Sequence, residues 1–367
     1  MAADTTPSGA QGGRRRQAVT IKHVAADAGV SLQTVSRVIN NDPKVSPHMK
    51  ARVEASIETL GYVPSIAAQR MSGSRSYIIL ALNDRDRTIA DWMERQGTDW
   101  VDQMLLGGML TCAQFGYRMM IELVDTHSDH VQRELRATIA ALQPDGVILT
   151  PPHSDNELIT TLLADHRIPF ARIGSINPGP GIRMTMDDEH AARLATEHLV
   201  KLGHRRIGFI SGSSEYSLSQ WRVDGWRSAM AAAGLDSGGL LAEGDFSLGS
   251  GAQAARNLLD GRGDAATAII ASNDRMALAC LEVARERGLN VPADLSLISF
   301  DNTPIVSFAQ PPLTAIEQPI AKTAARAVEL IIAAQRGEPL PDEPVIVPAA
   351  LVERQSTAAR TAIARAG

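Results

Sequence analysis

The sequence has very few cysteines, with Cys112 and Cys280 the only two in 367 residues. Each lies alone in an apolar run with helix-like spacing, so the pair fits no metal-binding motif. Thiols this sparse suit a reducing compartment, and both are expected to act as small buried hydrophobic residues. The sequence therefore predicts no metal site.

Long apolar runs are missing as well. The longest, such as residues 78–82 and 147–149, fall far short of the roughly 20 residues that a helix needs to cross a bilayer. The first residues, MAADTTPSGAQGGRRR, place no apolar stretch behind a basic start, so no secretory signal is expected. These features argue against a membrane protein or a mature periplasmic receptor and favour a cytoplasmic protein.

The composition is ordinary for a soluble globular protein. Hydrophobic residues make up 44% and charged residues 21% of the chain, which excludes a disordered, collagen-like or coiled-coil protein. The length is well above the roughly 100–200 residues of one ordinary domain. We therefore expect two or three compact units.

Charge is distributed unevenly along the chain. Residues 1–75 hold ten Lys and Arg against five Asp and Glu, a net +5, which leaves −10 for residues 76–367 because the whole chain carries −5. A small basic head on a large acidic body is typical of a phosphate-binding module joined to a separate domain. Residues 1–18 are rich in small residues around an Arg cluster and are expected to form a disordered basic arm.

Three short helices are expected in the basic head. Thr20 is a good N-cap for a first helix, which Gly29 ends, and Ser31 can cap a second helix over residues 32–39. The Ser46-Pro47 pair starts a third helix that ends at Gly61. Two helices joined through a glycine turn form a helix-turn-helix unit, whose second helix can enter the major groove of DNA.

Residues 19–64 make the head recognisable. The stretch VTIKHVAADAGVSLQTVSRVINNDPKVSPHMKARVEASIETLGYVP resembles the DNA-binding head of the lactose/galactose repressor family of bacterial transcription regulators. The long AGVS…TVSRV pattern carries the resemblance together with LGY. It implies a ligand-responsive regulator, a dimeric repressor of carbohydrate-utilisation genes.

The resemblance places base reading at Leu32, Gln33 and Arg37. Gln can contact adenine and Arg guanine through two hydrogen bonds, while Leu can meet a thymine methyl group. Ser36 is expected on the same exposed face, with Val35 and Val38 turned inward. Four further residues are expected to position the helix on phosphates without reading sequence: Thr20, Ser31, Thr34 and Asn40.

Residues 65–75 are expected to link the head to the body. In the family, this stretch folds into a hinge helix on the operator, and two such helices of a dimer open the minor groove with a leucine. Met71 stands at the matching position here, and Ser65 replaces the usual Asn. Met is an acceptable apolar wedge between base steps, although a flexible linker residue is the alternative.

The body, residues 76–357, alternates short apolar runs with helical stretches, which predicts α/β lobes with parallel sheets. Two sets of strands are expected, with their junction at residues 177–181. The first set is 77–82, 117–123, 146–150 and 169–173; the second is 206–211, 240–243, 268–272 and 295–300. Later strands near 313–318 and 345–351 are expected to cross back, one to each lobe, and residues 358–367 form a tail.

Polar residues follow several of these strands, and parallel sheets bind ligands beyond the carboxyl ends of their strands. The resemblance continues through QWRVDGW, ASNDRMALA, ISFDN and LVERQST, so it covers residues 19–357 and implies the fold of two-lobed periplasmic sugar-binding proteins. Carried over by position, five residues are expected to bind a small effector in the interlobe cleft: Arg222, Phe246, Asn273, Asp301 and Gln318. Arg and Asp suit the hydroxyls of a sugar, and an aromatic ring covers its apolar face.

Alternatives to a sugar-responsive repressor remain at this point. One is a purine-type regulator that depends on a corepressor, and another is a receptor or enzyme with a vestigial DNA-binding head. The sequence offers no P-loop lysine, no dinucleotide motif and no acid/base pair, so no enzyme activity and no cofactor are expected. The charged segment 85–102 looks like a long loop that could shape specificity or be an inert insertion. The chain has no heptad tail, which favours a dimer over a tail-built tetramer.

Overall fold

The computed structural model describes residues 19–39, 42, 44–62, 75–93, 99–125, 130–260 and 265–360. The chain divides into two units, residues 1–76 and 77–367, which we call the head and the body. Predictions for the basic arm, for Asn40 and Met71, for the linker up to residue 74 and for residues 361–367 lie outside the described residues.

The head contains the three predicted helices, α1 (Ile21–Ala28), α2 (Leu32–Ile39) and α3 (Pro47–Leu60). Gly29 ends α1 in the left-handed conformation at φ 61°, which glycine adopts without steric cost. Ser31 Oγ accepts a hydrogen bond from the Thr34 amide at 3.1 Å and so caps α2. These local signals were sufficient to predict each helix.

A small apolar core holds the head together. Its buried residues come from all three helices and the turn after α3: Val24, Ala25, Ala28, Val35, Val38, Val53 and Tyr62. The Arg52 guanidinium donates to the Ala28 carbonyl at 2.6 Å, which ties α3 to the last turn of α1. Because Val35 and Val38 of α2 face this core, the opposite face of α2 remains exposed.

The body consists of two lobes, each built on a six-stranded sheet. Lobe 1 has the strand order β11-β5-β4-β3-β1-β2, and all its pairings are parallel. Its strands are β1 (Ile78–Asp84), β2 (Arg118–Val124), β3 (Gly146–Leu149), β4 (Phe170–Ile173), β5 (Ile182–Thr185) and β11 (Val345–Ile346). Its helices are α4 (Arg85–Met93), α5 (Asp99–Gln114), α6 (Val131–Leu142), α7 (Glu157–Asp165) and α13 (Ile320–Gln335).

Lobe 2 repeats this plan with the strand order β12-β10-β9-β8-β6-β7. Its strands are β6 (Ile207–Ile210), β7 (Leu241–Ala242), β8 (Ala268–Ala271), β9 (Ser296–Asp301), β10 (Thr314–Glu317) and β12 (Ala350–Val352). Its helices are α8 (Asp188–Lys201), α9 (Ser217–Ala232), α10 (Leu248–Leu259), α11 (Asp274–Glu286) and α12 (Pro304–Phe308). Strand β12 runs antiparallel to β10, whereas the other pairings of this sheet are parallel.

Helices cover the two faces of the lobe 1 sheet with separate apolar clusters. Ile79 and Ala171 belong to a cluster completed by Ile331 of α13, whereas Leu80 packs on the other face with Leu135 of α6. A Cβ atom added at Gly107 of α5 would lie 1.8 Å from the Ala321 carbonyl oxygen, so α5 and α13 touch backbone to backbone. Helix α13, late in the chain, is therefore an integral part of lobe 1.

The predicted junction at residues 177–181 is wrong. Strand β5, which the sequence did not predict, follows this loop and pairs with β4 in lobe 1. Arg172 donates to the Asn177 carbonyl at 3.0 Å and holds the loop against its own lobe. The chain instead crosses after β5, near residues 186–188, and crosses again between β10 and α13 and between β11 and β12.

Two other predictions need correction. The single strand predicted near 345–351 is two strands in different sheets, because Pro348 separates β11 from β12 and proline cannot donate to a sheet ladder. In the segment predicted as a loop at residues 85–102, the described residues form α4 and the start of α5. No helix in the described part of the chain has the length and apolar character to span a bilayer.

Candidate functional site

A cleft of about 210 Å³ lies between the two lobes of the body, at the carboxyl ends of strands from both sheets. All five residues predicted to bind the effector line it: Arg222, Phe246, Asn273, Asp301 and Gln318. Lobe 1 contributes Asn83 and Asp84 from the end of β1 and Thr150 after β3. The structure thus brings together residues that lie far apart in sequence, while their role in binding stays a prediction.

Arg222 is held at the base of the cleft by a carboxylate that the sequence analysis missed. Its Nε and Nη2 atoms lie 2.9 and 2.8 Å from Asp188 Oδ1, and its Nη1 donates to the Ser272 carbonyl at 2.5 Å. Gln318 Nε2 donates to the same Asp188 oxygen at 2.9 Å. Asp188 begins α8 directly after the chain crosses between the lobes. This position in the chain could have marked Asp188 as a candidate site residue.

Asn273 shapes the wall of the cleft. Its Oδ1 accepts from the Met276 amide at 2.9 Å and caps α11, and its Nδ2 donates to the Phe246 carbonyl at 2.9 Å. The Phe246 ring stacks on Tyr216, with the two centroids 5.6 Å apart. Asn273 therefore lines the cleft and also holds the Phe246 backbone in place through a hydrogen bond.

Two carboxyl groups in lobe 2 have raised pKa values. Burial, together with the neighbouring Asp274, raises the pKa of Asp301 to about 7, while Arg222 acts in the opposite direction. Burial also raises the pKa of Asp274 to about 6, although Ser299 and the Thr303 amide donate hydrogen bonds to it. Like charges at close range resist simultaneous ionisation, so this pair holds a proton near neutral pH.

We expect Asp301→Asn to raise the free energy of unfolding at about pH 8. The pKa of this carboxyl is about 7 in the folded protein and about 3.9 in an unfolded chain. The folded state therefore holds more protons between these values, and its stability falls as the pH rises through them. Asn removes the charge and tolerates the left-handed backbone here, where φ is 87°.

Urea unfolding at several pH values measures this effect. The gain from Asp301→Asn should shrink as the pH falls through about 7 towards about 4, because the wild-type carboxyl then becomes protonated in the folded state. Asp224→Asn, on the exposed face of α9, is the matched control and should show no such pH-dependent gain. A loss of stability at pH 8 would contradict the raised pKa.

Helix α4 of lobe 1 contacts lobe 2 across the cleft. Asp91 and Arg275 form a two-point ion pair, with oxygen–nitrogen distances of 2.5 and 2.9 Å, and their side chains are only 19% and 18% exposed. Arg87 donates to the Asp245 carbonyl at 3.0 Å, and its guanidinium lies 5.1 Å from the Phe246 ring centroid. The segment predicted as a loop is thus a helix that joins the lobes.

The head, as a separate unit, presents the predicted DNA-reading residues on one face of α2. Leu32 is 44% exposed, and Gln33 and Arg37 are also exposed. The Arg37 Nε atom lies 3.7 Å from Asp42 Oδ2. Ser36 is half-buried.

The predicted phosphate contacts have local roles in the head. Ser31 Oγ lies 2.9 Å from Thr34 Oγ1, so both hydroxyls sit at the start of α2. Thr20 is exposed at the start of α1, where its amide donates to His23 Nδ1 at 3.1 Å. Helix N-termini and their hydroxyls are common donors to phosphate oxygens. Among the residues that the structure describes, no group of three His, Cys, Asp or Glu side chains could hold a metal ion.

Two family models match the chain. One, described as bacterial regulatory proteins of the lacI family, matches residues 20–65. The other, a periplasmic binding protein-like domain, matches residues 196–357.

Curated relatives align over nearly the full length. The chain is 32% identical to the HTH-type transcriptional regulator DegA of Bacillus subtilis, over 92% of this chain and 98% of that protein. It is 30% identical to the HTH-type transcriptional regulator CelR of Thermobifida fusca, over 93% of this chain and 99% of that protein.

Solved structures of similar proteins share the architecture. The lac repressor dimer bound to operator and the anti-inducer ONPF has a TM-score of 0.75 at 28% identity, covering 94% of this chain and 100% of that one. The complex of the transcriptional regulator CelR with cellobiose has a TM-score of 0.68 at 29% identity, covering 92% and 99%. Both alignments extend over head and body.

Proposed function

Because the chain belongs to the lacI family of bacterial regulatory proteins, we propose that it is a dimeric, ligand-responsive repressor of carbohydrate-utilisation genes. The observation that carries this function is the polar interlobe cleft, in which Arg222, Asn273 and Asp301 converge beneath an aromatic wall. The protein reads operator DNA with its head and senses a small molecule with its body. It works in the cytoplasm and catalyses no reaction.

Ligand binding acts through the arrangement of the lobes. The chain crosses between them near residues 186–188, and Asp188 next to that crossing binds both Arg222 and Gln318 of the cleft. A ligand that binds one lobe arrangement better shifts the population towards it, and operator affinity follows by linkage. The CelR relative was solved with cellobiose, which supports a sugar. A purine-type corepressor is the second candidate, and a thermal-shift screen of sugars and nucleobases separates the two.

Dimerisation is supported by an apolar face of α5. Leu106, Met109 and Leu110 are 51%, 53% and 59% exposed, and their spacing places them on one side of the helix. A neighbouring side of α5 packs on α13 through Gly107. A row of large exposed apolar side chains is typical of a protein interface, and a second copy of the chain is the partner that a palindromic operator requires.

Binding of the full chain to DNA tests the proposed function. A palindromic duplex selected from random sequence should bind far more tightly than a scrambled duplex of the same length, and both affinities should fall steeply as salt rises. A sugar that raises the melting temperature should also change operator affinity. Equal affinity for the two duplexes at every salt concentration, with and without ligand, would refute a regulator.

Arg37→Ala should weaken binding to the selected operator by about 1–3 kcal/mol per half-site and relax the preference at one base pair. The exposed guanidinium at the end of α2 can make a two-point contact to guanine, which alanine removes. Fluorescence anisotropy with the operator and with single-base variants measures both effects. Lys50→Ala, on the exposed side of α3, is the control and should affect specific and scrambled DNA alike. If Arg37→Ala instead weakened binding to specific and scrambled DNA equally, Arg37 would bind a phosphate and would not read a base.

A further inference from the structure

The arginine donors of the cleft are paired within the part of the chain that the structure describes, whereas several other polar groups are not. Its arginine donors already have acceptors: Arg222 binds Asp188 and the Ser272 carbonyl, Arg275 binds Asp91, and Arg87 binds the Asp245 carbonyl. Most of the open positions are acceptors; the exception is the buried Thr303 hydroxyl, which lines the cleft and can both donate and accept. Asp188 Oδ2 and Gln318 Oε1 are buried without a hydrogen-bond partner among the described residues, and Gln318, which lines the cleft, is only 5% exposed.

Asp301 adds another open acceptor. Its carboxyl group lines the cleft and receives no hydrogen bond from any described residue. The charged groups that act on it are Asp274 and Asp188, which are like charges, and Arg222 and Arg275. Both arginines are already engaged in ion pairs with other carboxylates. The charge of Asp301 therefore lacks a dedicated partner within the described part of the protein.

Negative charge exceeds positive charge around the cleft. Five carboxyl groups line or support it, against three guanidinium groups: Asp84, Asp91, Asp188, Asp274 and Asp301, against Arg87, Arg222 and Arg275. The two ion pairs neutralise Asp91 and Asp188. Arg87 alone then faces the remaining three carboxyl groups, and it lies against the Phe246 ring. Because Asp274 and Asp301 hold a proton near neutral pH, the excess is one negative charge. A ligand without charge would leave it uncompensated in a partly closed space, where burying a charge is costly.

We propose that the effector is an amino-polyol such as an amino sugar, whose protonated amine binds Asp301 and one of whose hydroxyl groups donates to Gln318. This inference rests on the proposed function, since it concerns the ligand of the same cleft. The ammonium group supplies both the missing donors and the missing positive charge. The Phe246 ring covers the apolar face of the sugar, as aromatic rings do in ligand sites of this kind.

The raised pKa of Asp301 agrees with this assignment. In the free protein, burial and Asp274 favour the protonated carboxyl, with a pKa of about 7. An ammonium group beside the carboxylate favours the ionised form, because an opposite charge at close range lowers the pKa of an acid. A charge-assisted hydrogen bond is worth roughly twice a neutral one.

Isothermal titration calorimetry on the full-length protein at about pH 7.5 tests the proposal with matched probes. The pairs are D-glucosamine with D-glucose and D-galactosamine with D-galactose, and the N-acetyl derivatives serve as neutral nitrogen controls. We expect at least one amine to bind about tenfold or more tightly than its neutral partner and its N-acetyl form. Neutral sugars that bind as tightly as the amines would overturn the proposal, as would the absence of a binding signal from both amines at their solubility limits.

Asp301→Asn distinguishes charge recognition from general binding. The preference for the amine should disappear in this variant, which should remain folded because it is expected to gain stability. Asp224→Asn removes an exposed carboxylate of α9 two residues from Arg222 and should keep the full preference. An unchanged preference in a folded Asp301→Asn variant would place the amine elsewhere and refute the assignment.

The DNA-binding experiment separates failure of the ligand class from failure of the function. If the protein binds its operator specifically and responds to a neutral sugar, the regulator stands and the amino-polyol is wrong. If it binds no duplex specifically in any ligand state, the regulator is wrong whatever the calorimetry shows.

Discussion

Arg222→Ala is expected to lower the free energy of unfolding by about 3–5 kcal/mol, the cost of removing one partner from a buried ion pair. The side chains of Arg222 and Asp188 are 3% and 0% exposed, so alanine strands the Asp188 carboxylate away from water. The variant also loses the guanidinium that lies 4.6 Å from the Phe300 ring centroid. Urea unfolding measures the loss, and Arg227→Ala on the exposed side of α9 should stay within about 0.5 kcal/mol of wild type.

A double-mutant cycle with Asp188→Asn identifies the cause. Once Asp188 carries no charge, Arg222→Ala should cost much less, because no buried ion is left unpaired. Additive losses in the double variant would show that Arg222 contributes through packing instead. The sequence resemblance indicated Arg222 only as a ligand contact, and the buried pair with Asp188 gives it a structural role as well.

The ligand response should be lost in the same variants. Arg222 lines the cleft, and its removal, together with loss of the Asp188 charge, takes away the hydrogen bonds that hold Gln318 and the wall of the site in place. If ligand releases the protein from DNA, the double variant should repress permanently, and if ligand promotes DNA binding, it should never repress. A folded double variant with wild-type ligand affinity would place the effector site outside this cleft.

Asp91→Asn should shift the lobes towards an open arrangement by about 2–3 kcal/mol, or about 30- to 150-fold in population. This value lies between those for exposed and fully buried ion pairs, because the Asp91 and Arg275 side chains are 19% and 18% exposed. Small-angle X-ray scattering of the ligand-free protein should report a larger radius of gyration. Asp86→Asn, on the exposed side of α4, is the control and should leave the scattering unchanged.

Charge reversal makes the test specific to the pair. Combining Asp91→Arg with Arg275→Asp should restore much of the wild-type arrangement, whereas either reversal alone should open the lobes. If the two single effects simply add in the double variant, the contact between the side chains does not hold the lobes together.

The helices of the head were predictable because their signals are local. Gly29 at the end of α1 and the Ser46-Pro47 start of α3 act on residues within one helical turn. Much of the alternating pattern of the body was predictable for a similar reason, since strands buried on both faces appear as continuous apolar runs. Strand β5 escaped prediction because Arg183 and Thr185 interrupt its apolar residues and the loop before it carries proline and glycine.

The contacts that build the site were harder to predict from the sequence. Arg275 and Asp91 lie 184 positions apart, so no local pattern links them. Asp188 resembles an ordinary acidic residue at a helix N-terminus, and its pairing with Arg222 follows from packing of α8 against α9. Asn273 was predicted from the family pattern as a ligand contact, whereas the structure adds a helix cap and a hydrogen bond to Phe246.

The position of α13 in the chain has a consequence for protein synthesis. Lobe 1 needs this helix to cover Ile79 and Ala171, yet the whole of lobe 2 except β12 is encoded between β5 and α13. Translation at about 5–20 residues per second takes about 7–27 s to cover that interval. On the ribosome, α5 alone covers this face of the lobe 1 sheet while lobe 2 is being made, so part of the apolar face stays exposed. A chaperone that recognises such faces has that interval in which to bind the nascent chain.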